Sequence, residues 1–420
     1  MLAMSAPAAD KWVAAWTGAS HGPYPSGNAV AQPDLAALLP GAVANDQSFR
    51  LIVRPGLWGS RARIRLSNVF GSQPVTLDGV FIGVHGMGGS LVPGTNRPVK
   101  FAGGKTGVTI APGALVWSEA VDLPFVKKAA SAEWMGRKLA VSFHVAGKSG
   151  PMTWHAKAMQ TSYLSRPGGG SHGAEESADG FPFSTTSWYF LDAVELMAPA
   201  ATQVVMGFGD SITDGTNSTL NGDDRWPDFL AQRLHAAFGA RVTVVNAGIG
   251  GNQVVGPPTY DPAKPIGGGP SALERLERDV LTVSGVTTVV WLEGINDLGA
   301  AKASAEDVIE GFRRGVERLH AKGIRVVGAT ITSALNSTPA QGTAEVDAKR
   351  KAINEFIRHG GVFDGVADFD AATLDPQTGA LRAEFRPGSS VGGPGDGLHP
   401  NRAGYQAMAN SIDLKTLLPR

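Results

Sequence analysis

The chain of 420 residues has no cysteine. That excludes disulfides, thiolate metal sites and a cysteine nucleophile, but leaves the compartment open, since cysteine-free chains occur on both sides of a membrane. Net charge is also missing, because 37 basic residues cancel 37 acidic ones. No global field then steers a polyanion or holds the protein on an anionic membrane, and nucleic acid is not an expected partner. No apolar run approaches the roughly 20 residues of a membrane span. The opening MLAMSAPAAD lacks both the charged n-region and the long apolar h-region of a signal peptide. It is read as the remnant of a trimmed export signal, so the expected location is the periplasm or the cell exterior, with the cytoplasm as the alternative. The histidines are scattered, without HExxH or His-x-His spacing, so no metal and no other cofactor is expected.

What is present is length, with 43% hydrophobic and 18% charged residues. One hydrophobic core seldom extends over so long a chain, so two domains are expected, 1–198 and 199–420. Their textures differ. From Trp12 to Met197 short alternating runs (FRLIV, ARIRLSNVF, VTLDGVFIGV, LAVSFHV) are broken about every ten residues by Gly, Pro, Ser and Asn. This predicts an antiparallel β-sandwich, jelly-roll-like. Seven of the nine tryptophans fall here and fit packing between sheets, the alternative being exposed platforms for sugar rings.

Past the connector MAPAATQ, apolar strands alternate with amphipathic helices, the pattern of a parallel sheet covered on both faces. Strands are expected at 204–208, 242–246, 286–292, 324–330 and 362–369. A helix follows RWPDFLAQRL with Pro227 in its first turn. Another opens at Ser304 with Asp307 at capping-box spacing, buries Val308, Ile309, Phe312, Val316 and Leu319, and stops before Gly323. A third carries Val346, Ile353, Phe356 and Ile357. Such a series predicts a flavodoxin-like three-layer α/β/α domain, whose ligands lie beyond the carboxyl ends of the strands.

Those ends offer Ser211 in MGFGDSITDG, Gly251 in VVNAGIGGN, Asn296 in WLEGINDLG, and DGLHP, with Asp396 and His399, before the last helix. Acyl transfer needs these residue types: Ser211 for an Oγ nucleophile, His399 for a base that works near neutral pH, and Asp396 to orient it. With Asp396 and His399 three apart, one turn of chain lets the carboxylate reach Nδ1 and leaves Nε2 for the serine. Each residue also has a plain structural reading, as a turn serine, a positive-φ glycine, an Asx turn or a loop before a helix. Of the remaining histidines, His21, His85, His144, His155 and His172 read as surface or packed imidazoles. His155, in TWHAKAMQTSYL, is the candidate for reaching the cleft.

GDSITDG, VVNAGIGGN, LEGINDLG and DGLHPNRAGYQ resemble the four ordered blocks of the SGNH hydrolases, the GDSL-type esterases and lipases. With RWPDFLAQRL and VVGATIT the likeness covers nearly all of residues 202–412. It resembles most a bacterial arylesterase/acylhydrolase group associated with xylan degradation. The resemblance implies Ser211 as nucleophile and Asp396 with His399 as the rest of the triad. It further implies an oxyanion hole of the Ser211 and Gly251 backbone N–H groups and the Asn296 side-chain amide. Ile212 stands where the eponymous GDSL has Leu. Expected substrates are small-molecule or carbohydrate esters (short-chain acyl, aryl or acetylated-carbohydrate), with a longer-chain lipase or a carbohydrate-binding protein of weak hydrolase activity as alternatives. A phosphate loop is disfavoured, since GxxxxGK[ST] is absent and the second strand ends in Asn246, not an acidic residue.

Overall fold

The computed structural model describes residues 9–22, 35–129, 132–261, 263–264, 267–390 and 392–418. Most of the start read as a signal remnant, residues 1–8, lies outside the described residues.

The N-terminal region is built from antiparallel sheets. One runs in the order Lys11–Thr17, Leu191–Ala198, Arg61–Ser67, Leu115–Trp117; the other Phe183–Thr185, Ser162–Leu164, Val43–Val53, Leu139–Pro151, Val75–Val84, Arg97–Pro98. Alternation in the sequence becomes alternation in space, since successive side chains point to opposite faces. Phe49 and Phe143 are cross-strand partners whose rings stack at 5.5 Å, and Tyr189 meets Phe49 at 5.2 Å. Each fully buried side chain of this size contributes about 1.5–3 kcal/mol. Trp16, Trp58, Trp154 and Trp188 are all buried.

The C-terminal region is a parallel sheet of β1 (Gln203–Gly209), β2 (Val242–Gly248), β3 (Val286–Leu292), β4 (Arg325–Ala329) and β5 (Gly365–Ala367), in the order β2-β1-β3-β4-β5. This is the flavodoxin-like order, with its switch point between β1 and β3. Around it lie α1 (Ser211–Asp214), α2 (Trp226–Phe238), α3 (Ile295–Gly299), α4 (Ala305–His320), α5 (Ala344–His359) and α6 (Arg402–Ser411). Pro227 sits in the first turn of α2. Ser304 and Asp307 close the predicted capping box of α4, which buries Val308, Phe312, Val316 and Leu319 and half-buries Ile309. No helix among the described residues is long and apolar enough to cross a membrane.

The two regions share one continuous apolar cluster, from Val13 through Val204 and Met206 to Leu398. Strand Lys11–Thr17 is the hinge of this packing: Ala14 N–H donates to Ser284 O at 2.9 Å and Thr17 Oγ1–H to Asn246 O at 2.7 Å. A cavity of about 360 Å³ opens in the seam, against Trp16, Trp58, Trp188 and α2. Ser211, Asp396 and His399 do not line it.

Candidate active site

Ser211 stands two residues past the end of β1, as the first residue of α1. Asp210 caps that turn, its carboxylate accepting from Ile212 N–H at 2.9 Å. The N–H of Ser211, at a helix start, is one of those that find no acceptor inside the helix. Its side chain is almost fully buried, at 4% exposure.

His399 meets it from the far end of the chain. Nε2 lies 2.8 Å from Ser211 Oγ, and Nδ1 lies 2.5 Å from Asp396 Oδ2. Asp396 Oδ1 also accepts from the backbone N–H of Leu398 and of His399, each at 2.9 Å, so the loop folds around the carboxylate. Burial alone would raise that carboxyl. The His399 bond and charge, helped by the two backbone donors, outweigh it and hold Asp396 well below the usual carboxylate range. An ionised Asp396 accepts from Nδ1–H, which leaves Nε2 as the acceptor for the serine hydroxyl.

Gly251, beyond the end of β2, has φ of 83°, a conformation a side chain rarely adopts. Gly248 is fixed for a different reason: a Cβ there would stand 2.3 Å from Asp214 N, so only glycine lets β2 approach α1 this closely. Asn296, in α3, donates from Nδ2 to Asn252 O at 3.0 Å, which orients its amide. Asn252 is the hub of the arrangement. Its Nδ2 donates to Gly268 O and Pro270 O, both at 2.7 Å, and its Oδ1 accepts from Arg275 Nε at 2.7 Å. Arg275, fully buried, also donates to Ala247 O at 2.8 Å and Gly209 O at 2.9 Å, tying together the ends of β2 and β1. Asp297 accepts from Val254 and Val255 N–H at 2.8 and 3.0 Å and holds the chain after Asn252.

The sequence-predicted residues therefore converge. Ser211, His399 and Asp396 form one hydrogen-bonded series, and Asn296 joins the turn that carries Gly251 through Asn252. Sequence reasoning did not single out Asn252, although it adjoins Gly251 in the quoted block, nor Asp214, which lies within GDSITDG. Arg275 has no motif signal. His155 is buried beside α1: Nδ1 bonds to Ala19 O at 2.8 Å and Nε2 to Asp214 Oδ1 at 3.0 Å. Asp214 Oδ2 in turn accepts from Gly250 N–H at 2.9 Å. The β-rich region thus braces the turn before Gly251.

Behind the site, Glu293 is fully buried, with Oε2 accepting from Trp291 Nε1–H at 2.8 Å, and burial pushes its carboxyl up to about 8. A carboxyl raised above its unfolded value binds more protons in the folded state over the interval between the two. Its stabilising contribution is whole below the unfolded pKa of about 4.3 and is lost as pH rises through about 8. Glu293 is therefore expected to lower stability by about 1.4 kcal/mol per pH unit across that window. Glu293→Gln should flatten the slope by that amount, measured as urea unfolding free energy from pH 5 to 8. An unchanged slope would show that Glu293 is ionised throughout.

Residues 208–407 match the GDSL-like Lipase/Acylhydrolase family. No curated protein matches the chain. Solved structures similar to it include the aryl esterase of M. smegmatis, at 17% identity over 52% of this chain and 100% of that one, TM-score 0.38. Others are the lipase/acylhydrolase from Enterococcus faecalis (21% identity, 50% and 93% covered, TM-score 0.37) and a carbohydrate acetylesterase family member from Sinorhizobium meliloti (18% identity, 50% and 95% covered, TM-score 0.37).

Proposed function

We propose that the protein is a serine esterase that hydrolyses carboxylic esters of short acyl, aryl or acetylated-carbohydrate type through an acyl-enzyme. The observation that carries this reading is the hydrogen-bonded series Asp396–His399–Ser211, with bonds of 2.5 and 2.8 Å at the carboxyl end of a parallel sheet. Ser211 Oγ attacks the ester carbonyl while its proton passes to His399 Nε2. Collapse of the tetrahedral intermediate releases the alcohol, which takes that proton. Water then attacks the acyl-serine, His399 again accepting and returning the proton, and the acid leaves. Negative charge on the carbonyl oxygen is met by the N–H groups of Ser211 and Gly251 and by the Asn296 amide. Such fixed dipoles commonly supply the largest single share of rate enhancement. The shared apolar cluster supports regions 1–198 and 199–420 acting as a single body during turnover. Export from the cytoplasm belongs to the same reading, since extracellular esters would be its substrates.

A fluorescent alkyl phosphonate tests the nucleophile directly. It should phosphonylate Ser211 stoichiometrically and abolish hydrolysis of p-nitrophenyl acetate, with the adduct found by peptide mass spectrometry. Loss of activity with the label on another residue would overturn the assignment.

A further inference from the structure

Lys157 lies beside the candidate site and, among the described residues, forms no direct ion pair. Its segment is anchored on both sides: His155 is bound to Asp214, and the Ala158 carbonyl accepts from the Arg225 guanidinium. His155, Ala156 and Ala158 are buried, while Lys157 is only half-buried, so its backbone is fixed and its side chain runs to a partly open rim. There Nζ donates to Thr216 Oγ1 at 3.3 Å, and a Cβ placed on Gly250 would stand 3.0 Å from Nζ. Thr216 N–H is bonded to Ser211 O at 3.0 Å, and Gly250 adjoins Gly251. The ammonium therefore touches both the turn that follows the serine and the turn that carries a proposed oxyanion donor.

Among the described residues no carboxylate pairs with it. Asp214, whose carboxylate senses the Lys157 charge, is already engaged by His155 and Gly250 N–H. Among the described residues the half-buried ammonium donates one hydrogen bond, to a threonine hydroxyl, and keeps donors in reserve for an anion. We propose that Lys157 determines specificity: the natural ester carries a carboxylate a few bonds from its scissile carbonyl, and Lys157 binds that group. This rests on the esterase reading given above. It narrows the substrate to the esters of hydroxy acids or of dicarboxylic acids, depending on which side of the ester bears the charge.

Two ester pairs decide it, each an anion against its neutral methyl ester: 4-acetoxybenzoate with methyl 4-acetoxybenzoate, and monophenyl adipate with phenyl methyl adipate. The reported quantity is the kcat/KM ratio within each pair, which cancels general damage to the enzyme. In at least one pair, Lys157→Met should lower the anionic-to-neutral ratio roughly tenfold, the size expected when a charge-assisted hydrogen bond is lost. The loss should fall mainly on KM, Lys157→Arg should restore most of the ratio, and added salt should depress it in the native protein only. A ratio unchanged by Lys157→Met in both pairs overturns the proposal and leaves the esterase reading intact, as does an equal fall for charged and neutral esters. If the native protein hydrolyses none of the four esters, the proposal fails, and the esterase reading fails with it only if p-nitrophenyl acetate is not hydrolysed either.

Discussion

Asp396→Asn is expected to lower kcat by about 10³–10⁴ while the protein stays folded, because the substitution reverses the polarity of one bond and little else. An asparagine Oδ1 can still accept from the backbone N–H groups of Leu398 and His399, as the carboxylate does at 2.9 Å. The position of Oδ2, however, becomes an NH₂ donor facing His399 Nδ1. The imidazole then takes the tautomer with its proton on Nε2, the nitrogen 2.8 Å from Ser211 Oγ, and no lone pair remains to accept the serine proton. Melting temperature should shift little, since the Asp396 side chain is 38% exposed and its ion pair is partly screened. The check is kcat on p-nitrophenyl acetate beside a thermal melt. A rate near the native one would remove Asp396 from the triad, and a collapsed melt would show that its role is to fold the loop.

The residues that sequence could reveal are those that sit in short glycine-rich turns directly after apolar strands, where local pattern and position coincide. Ser211, Gly251 and Asn296 follow β1, β2 and β3 in this way, and Asp396 and His399 are joined by a single turn. The bonds that support them were not legible, even for His155, which the sequence offers as a candidate, for a physical reason: each joins a backbone group or a side chain distant in sequence. Arg275 reaches Gly209 O across 66 residues, and His155 reaches Asp214 across 59. Periodicity carries no trace of such pairs. Strand ends show the same limit. A strand expected at 362–369 is paired only over Gly365–Ala367, because Asp364 turns its carboxylate to Val326 N–H at 2.7 Å and Asp368 caps the helix Phe369–Thr373. Both residues are read by propensity as strand or turn, and tertiary bonds decide between them.

Variants of Asn296 separate an oxyanion donor from a residue that merely holds the neighbouring turn, because the two roles predict different kinetics. One N–H of its amide is committed to Asn252 O at 3.0 Å, and among the described residues no acceptor takes the second. A donor of this kind matters most once the carbonyl has become tetrahedral, so Asn296→Ala should lower kcat by about 10²–10³ with KM little changed. The same substitution leaves Asn252 O without its partner in a buried place, at a cost of about 1–3 kcal/mol in stability. The unfolding midpoint should therefore fall as well, and stability alone cannot discriminate. Asn296→Asp does so. Its shape is nearly the same, but an ionised carboxylate would face both Asn252 O and the developing oxyanion, so turnover should fall at least as far as in the alanine variant. If Asn296 only holds the turn at Asn252, the aspartate variant should lose stability while kcat in the folded fraction stays near the native value. Measuring kcat, KM and urea midpoint for both variants settles the role. An aspartate variant with native turnover would leave the oxyanion to the N–H groups of Ser211 and Gly251 alone.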